Sequence, residues 1–383
     1  MKRIIQLILS LFLFLTLTGC WDLNLLRDAR MAVIVGLDRT PEGKLLSTSV
    51  IREVKITEGG EEATNLILKS TGHTPRETQD NGDRRLNNRY DISKNRVILL
   101  GEKLAREDIY PVLDILYRDP KSALNAHIAV TKGRAEHLLD LDTAGDTLIG
   151  EYVDELINSA EEKTLVPIEN VQSICPVLFD PGQDFAIPYI TIEKGDLQAA
   201  GIDNEKDVSV EGIAMFHGHH MTGTLNREES RLFLMMADKL NKTSRLTIQV
   251  DPGKSDDIDS YITIDMGTLK RKLDIRFNPK GEIHVDLNLD MNVEVVEYPD
   301  DKLAESTVLH RLDKKLSESI THQSEQVIKK MKRSRFDGFG IGREIMAHSP
   351  EEWHGAKWWT KTYPKVKFHP KVNVHIVGHG IIS

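Results

Sequence analysis

Two long alternating segments and the amphipathic stretch after them constrain the fold of this chain most strongly. Apolar and polar residues alternate over 261–277 and 283–296, as in strands of an antiparallel sheet that is buried on one face. The next stretch, 302–332, predicts one long helix because its apolar residues recur on a single face: Leu309, Leu312, Leu316, Ile320, Val327 and Met331. We therefore expect a C-terminal β-sheet backed by one long helix.

The chain before this unit alternates strand-like and helix-like segments. Strand patterns cover 31–37, 45–54, 96–100 and 126–130, and helix patterns cover 75–89, 109–117 and 134–141. A chain of 383 residues is longer than one hydrophobic core usually serves. We predict a multi-domain α+β protein with mixed and antiparallel sheets, divided into an N-terminal α/β domain (20–144), a middle domain or connection (145–207) and a C-terminal α+β domain (208–383) that opens with a hairpin.

The N-terminus predicts a signal peptide over residues 1–19. Lys2 and Arg3 precede a largely apolar stretch, 4–17, which is too short to span a bilayer. Leu17-Thr18-Gly19-Cys20 has the form of a bacterial lipobox, which predicts diacylglycerol on Cys20 and a mature chain held on the outer face of a membrane. The alternative is an ordinary thiol in a plain secretory peptide that is cleaved nearby.

Cysteine content and charge narrow the function classes. If Cys20 carries lipid, Cys175 has no partner for an intramolecular disulfide, and we interpret it as a small core residue rather than a reactive thiol. Without Lys2 and Arg3 the chain has 48 basic and 59 acidic residues, a formal charge of −11, which argues against nucleic acid as a partner. We interpret the basic run 329–333 as the solvated end of a helix.

Two motifs could indicate chemistry, and each has a simpler interpretation. His217-Gly218-His219-His220 is the densest set of metal-ligand types, but adjacent strand residues point to opposite faces, so we expect a solvated hairpin turn. The glycine-rich run 338–342 follows a helix and lacks the ending of a phosphate loop, so it predicts a chain reversal in which Asp337 bonds backbone N–H groups. We expect no catalytic group, no metal and no cofactor beyond the lipid.

Tryptophan is concentrated near the C-terminus, at Trp353, Trp358 and Trp359 beside Tyr363. Such a cluster is typical either of core packing or of a protein interface. We hypothesise that part of it, or the neighbouring turn, docks on a partner subunit.

Trp21 and Asp22, directly after the lipid site, are either a plain tether or a further partner contact. The candidate interface residues are Trp21, Asp22, Asp337, Phe339, Trp353 and Trp359.

Several of these segments together resemble the Ger(x)C lipoproteins of spore germination, the C subunits of germinant receptors. The resemblance covers nearly the whole chain and rests on five groups of residues. They are Gly19-Cys20-Trp21-Asp22 with Asp28, Gly36 and Asp38; the hairpin residues Gly212, Phe216, Gly223 and Leu225; Arg335-Phe336-Asp337-Gly338-Phe339-Gly340; Pro350, Trp353, Trp359 and Pro364; and a closing strand over 372–380. Leu25 departs from the family pattern where an acidic residue is usual, and Tyr363 does so where a Phe is usual.

The resemblance implies a noncatalytic subunit of a nutrient germinant receptor, anchored at the spore inner membrane through Cys20. Its expected partners are membrane lipid and the integral membrane A and B subunits of the receptor. A solute-binding lipoprotein of a transporter-like system is the alternative. That class predicts two similar lobes around a cleft and a gain in thermal stability when a germinant binds.

Overall fold

The computed structural model describes residues 29–57, 60–141, 143–144, 147–194, 206–250, 258–299 and 302–380. The predicted signal peptide, the lipid site Cys20 and the candidate contacts Trp21 and Asp22 lie outside these residues. No helix in the described ranges is both long enough and apolar enough to cross a membrane.

Eleven strands, β1 to β11, lie in the first part of the described chain. Their bounds are β1 (Ala29–Arg39), β2 (Leu45–Thr57), β3 (Gly60–Gly72), β4 (Arg89–Asp91), β5 (Val97–Gly101), β6 (His127–Thr131), β7 (Thr143–Ala144), β8 (Thr147–Leu148), β9 (Ala186–Lys194), β10 (Lys206–His217) and β11 (His220–Asn226). A large mixed sheet runs β11-β10-β9-β6-β5-β1-β2-β3, with β4 beside β1, whereas β7 and β8 form a small ribbon. The central strands β1, β5, β6 and β9 are parallel, and the outer pairs are antiparallel.

Helices cover both faces of this large sheet, which explains why the central strand β5 is wholly apolar and buried. The helices of this part are α1 (Pro75–Asp83), α2 (Glu102–Ala105), α3 (Tyr110–Arg118), α4 (Ala135–Leu139), α5 (Ile149–Glu162), α6 (Val171–Leu178) and α7 (Arg227–Met236). Leu100 and Ile128 pack with α3 and α6 on one face. Leu99 and Ala129 pack with α4 and α5 on the other.

The C-terminal part is a four-stranded sheet backed by one long helix, as the sequence predicts. Its elements are β12 (Arg245–Gln249), β13 (Tyr261–Phe277), β14 (Ile283–Glu297), α8 (Ser306–Arg333), α9 (Ile341–His348), α10 (Ala356–Thr362) and β15 (Lys367–Gly378), with single 3₁₀ turns at Ile258–Ser260, Pro350–Glu352 and Tyr363–Lys365. The strands lie in chain order; β12 to β14 are antiparallel, and β15 is parallel to β14. Five of the six residues in the predicted apolar stripe are buried, and Leu309 is half-buried. The predicted α+β class is confirmed.

Helix α8 also covers the outer edge of β15. Three N–H groups of the strand donate to α8 side chains that are four residues apart: Val372 to Thr321 Oγ1 at 3.0 Å, Val374 to Ser317 Oγ at 2.9 Å and Ile376 to Asp313 Oδ1 at 2.9 Å. An edge whose N–H groups are already bonded cannot pair with a further strand through those groups.

The division between the two sheets differs from the predicted domain boundaries. The middle unit over 145–207 and the C-terminal domain from 208 stay predictions. The large sheet crosses both boundaries, since α5, α6 and β9 complete it and β10 and β11 form its edge. The reason is the antiparallel pairing of β9 with β10. The two sheets also share one hydrophobic core, in which Val210 and Ile213 of β10 belong with Leu246, Leu287 and Leu312.

Candidate functional site

The predicted chain reversal after α8 forms a junction between the large sheet and the C-terminal unit. The helix ends at Arg333, and Arg335 adopts a left-handed backbone conformation with φ 53°. Gly340, with φ 68°, begins α9, a conformation that glycine adopts without the strain of a Cβ atom. The reversal is therefore confirmed, and it places Asp337 between the two helices.

Asp337 is 2% exposed, and three N–H groups donate to its carboxylate. Ile341 N–H donates to Oδ1 at 3.0 Å, and Gly342 N–H donates to Oδ2 at 2.9 Å, which confirms the expected bonds to the turn. The third donor, Trp359 Nε1 at 3.1 Å, was not expected. Asp337 therefore fixes the start of α9 and the Trp359 ring in one arrangement.

Asp184, which precedes β9, joins this turn to the large sheet. The Asp337 N–H donates to Asp184 Oδ2 at 2.8 Å, and the Asp184 N–H donates to the Asp337 carbonyl at 3.0 Å. The same side chain accepts the Gly218 N–H at 3.0 Å and lies 3.1 Å from His217 Nδ1. Asp184 was missed by the sequence analysis because 153 positions separate it from Asp337 and no local pattern connects the two.

Burial controls the charges in the junction. It raises the pKa of Asp337 to about 7, the nearby Asp184 charge adds to this effect, and the N–H donors oppose it. The hydrogen bond to Asp184 raises the pKa of His217. Burial also raises the pKa of the Tyr363 phenol, whose hydroxyl donates to the Phe336 carbonyl at 2.7 Å. The Tyr363 hydroxyl thus ties the 3₁₀ turn at Tyr363–Lys365 to this reversal.

Backbone segments of the junction pack closely together. A Cβ on Gly342 would stand 2.6 Å from Trp359 Nε1 and 2.8 Å from Gly182 Cα. The Arg343 N–H donates to the Gly182 carbonyl at 2.9 Å, so α9 lies directly on the loop before β9. Asp184 and Asp337 are buried and hydrogen-bonded, so they join the large sheet to the C-terminal unit.

The candidate interface residues of the C-terminal unit fall into two sets. Asp337 and Trp359 are buried in the junction, so neither is exposed for direct contact with a partner. Phe339 and Trp353 are half-buried: Phe339 stacks on Phe233 at 5.8 Å, and Trp353 meets the half-buried Trp358 edge to face at 5.8 Å. The docking role of these residues remains a prediction.

The histidine turn is less solvated than expected. His217 is held by Asp184, and His219 lies 3.1 Å from the Leu178 carbonyl and stacks on Tyr110, while His220 is exposed. Within the described ranges, no group of three or more His, Cys, Asp or Glu side chains is placed to hold a metal ion.

Comparison with known proteins gives matches along both halves of the chain. Residues 22–192 match the family described as the spore germination protein N-terminal domain, and residues 211–380 match the spore germination B3/GerAC-like C-terminal family. Spore germination protein GerQC of Bacillus cereus is 24% identical over 384 residues, covering 100% of this chain and 99% of that protein. Spore germination protein KC of Bacillus subtilis (strain 168) is 24% identical over 401 residues, covering 99% of this chain and 97% of that protein.

A solved structure shares the fold. The crystal structure of the GerBC protein aligns with a TM-score of 0.54 at 16% identity, covering 90% of this chain and 96% of that one.

Proposed function

The chain belongs to the Ger(x)C family of spore germination proteins, and we propose that it is the noncatalytic, lipid-anchored subunit of a nutrient germinant receptor. The observation that carries the proposal is that one chain combines this family match over both halves with the lipobox ending at Cys20. The lipid places the subunit on the outer face of the spore inner membrane. Its partners there are membrane lipid and the integral membrane A and B subunits.

The described residues support a role in assembly. Their buried acidic groups join two structural units, as the contacts of Asp184 and Asp337 illustrate, and do not line a reactive cleft. A solute-binding lipoprotein would have two similar lobes, whereas the described chain has a large mixed sheet and a four-stranded sheet that share a core.

Replacing Cys20 with Ala tests the anchor. We expect the variant to lose the lipid mass on its N-terminal peptide and to leave the membrane fraction of spores, because two acyl chains supply most of the retention. Cys175→Ala is the matched control, since it removes the other thiol of the chain, which lies half-buried in α6. An unchanged membrane fraction for Cys20→Ala would show that protein contacts, not lipid, hold the subunit.

Recovery of the tagged chain from spore membranes in mild detergent tests the receptor assignment. We expect two integral membrane proteins to accompany it in constant ratio, as an assembled receptor requires. Recovery of the lipidated chain alone from intact spores would contradict the assignment and leave the anchor unaffected.

A further inference from the structure

A concentrated basic surface lies where the end of α8 meets α10. It comprises seven residues: Lys329, Lys332, Arg333, Arg335, Lys357, Lys361 and Lys365. They line two open cavities of about 380 and 670 Å³ that share Pro364. Glu325 is the one carboxylate that lines either cavity among the described residues.

Among the residues that the structure describes, no carboxylate neutralises the seven cations of the basic surface. Within the described ranges, none of them forms an ion pair with a carboxylate, and six are exposed. Lys332 is half-buried, and that burial lowers its pKa. The neighbouring Lys330 shows the contrast, because it pairs with Glu229 on another side of α8. On a chain with more acidic than basic residues, such a surface attracts external anions.

The sequence did not reveal this surface, because its residues come from two segments. The run 329–333 alone is consistent with a solvated helix end. The reversal at 336–342 and the fixed position of Trp359 bring α10 back beside that end, so that Lys357, Lys361 and Lys365 extend the charge.

We propose that the basic surface binds the anionic phospholipid headgroups of the membrane that carries the lipid anchor, and so holds the C-terminal unit against that membrane. The proposal rests on the proposed function, because the anchor brings the domain to the membrane. The stretch between Cys20 and Ala29 spans at most about 30 Å, so the folded part stays near the headgroups. This reach lets the basic surface come within a Debye length of the headgroups, where the attraction between cations and an anionic surface acts.

The composition of the surface favours a layer of phosphates over a single anion. Five of the seven residues are lysines, which act as separate point charges, and they are spread along two open cavities. Trp358 lies on α10, the helix that carries Lys357 and Lys361, and its half-buried ring contacts that of Trp353. Such rings are typical of membrane–water interfaces. Basic and aromatic side chains together are the composition of interfacial membrane contacts.

Lysine labelling on vesicles tests the proposal with the complete lipidated protein. The protein is reconstituted on vesicles of phosphatidylcholine, or of phosphatidylcholine and phosphatidylglycerol in equal parts, and reacted with an acetylating reagent. We expect labelling of Lys357, Lys361 and Lys365 to fall by about fivefold on the anionic vesicles only, since each basic group near such a surface contributes on the order of 1 kcal/mol. Salt should abolish the difference by screening. Lys94 and Lys103, which are exposed but lie outside the basic surface, should label equally on both kinds of vesicle.

A charge-reversed variant completes the test. Lys357→Glu, Lys361→Glu and Lys365→Glu combined should remove the protection of Lys329, whereas the matched control Lys94→Glu, Lys103→Glu and Lys121→Glu should keep it. Equal labelling on both kinds of vesicle would overturn the proposal while leaving the anchor intact, whereas a protein that fails to bind neutral vesicles at all would refute the anchor itself. Protection that appears only when other receptor subunits are added would also overturn it, in favour of an acidic protein partner.

Discussion

The substitution Asp337→Asn tests whether burial or the three N–H donors determine the ionisation state of Asp337 in the folded chain. The folded chain holds the Asp337 proton with a pKa of about 7, against the ordinary value of 3.8. Between these values the native state binds more protons than the unfolded chain, so the free energy of unfolding falls as pH rises. One pKa unit corresponds to about 1.4 kcal/mol, so the wild type should lose about 3 kcal/mol between roughly pH 4.5 and 6.5. Asp337→Asn should lose none of this amount.

Chemical denaturation followed by tryptophan fluorescence measures the difference, because Trp353 and Trp358 contact the Trp359 ring that bonds to Asp337. The window ends at the ordinary pKa of His217, 6.5. The raised pKa of His217 gives stability that is fully present below about pH 6.5 and is lost as pH rises further. His217 therefore lowers the free energy of unfolding with rising pH, as Asp337 does, but above the window. Asp80→Asn, which changes an exposed carboxylate, is the control and should keep the wild-type slope.

Parallel curves for the wild type and Asp337→Asn across this window would refute the reasoning. They would mean that Asp337 is ionised throughout and that its N–H donors outweigh burial. A constant offset between the curves is expected in either case, because Asn cannot accept from all three donors, and an unpaired buried donor costs about 1 to 3 kcal/mol. Only the slope of the free energy of unfolding against pH shows whether Asp337 is protonated.

Three further substitutions test the packing that the structure shows. Gly342→Ala should lower the free energy of unfolding by about 1 to 3 kcal/mol, because its Cβ would stand 2.6 Å from Trp359 Nε1; an unshifted melting temperature would contradict the close contact. Ile320→Ala removes a fully buried side chain from α8 and should cost about 2 to 5 kcal/mol in denaturant titration, so a smaller loss would mean that the site collapses. Thr321→Val removes the acceptor of the Val372 N–H and should speed hydrogen exchange at that amide, while unchanged exchange would show that the bond is dispensable.

The C-terminal unit could be predicted from sequence because its signals are local. The alternation over 261–277 matches β13 over its full length, and the apolar stripe of 302–332 matches the buried face of α8. The place of 145–226 in the large sheet could not be predicted. Periodicity identifies a strand but not its partner. Strand β9 pairs with the next strand, β10, across the predicted boundary, and also with β6, which lies far earlier in the chain.

The junction shows the same limit. The bonds from Asp337 to the turn follow from local turn chemistry, so the sequence predicted them. Asp184 bonds to both His217 and the Asp337 N–H, but the three residues lie far apart along the chain, and no single-sequence pattern connects them. The basic surface depends in turn on this junction, because the junction sets where α10 lies.

The contact of α8 with the edge of β15 pairs two elements that differ in rise per residue. Four helical residues advance about 6.0 Å, while two strand residues advance about 6.6 Å. The mismatch of about 0.6 Å per step is small enough for all three bonds, from Asp313 to Thr321, to keep lengths of 2.9 to 3.0 Å. One inserted residue would turn the rest of the helix by about 100° and misalign them. Relatives that preserve this contact must therefore keep 313–321 and 372–376 at fixed length and vary elsewhere.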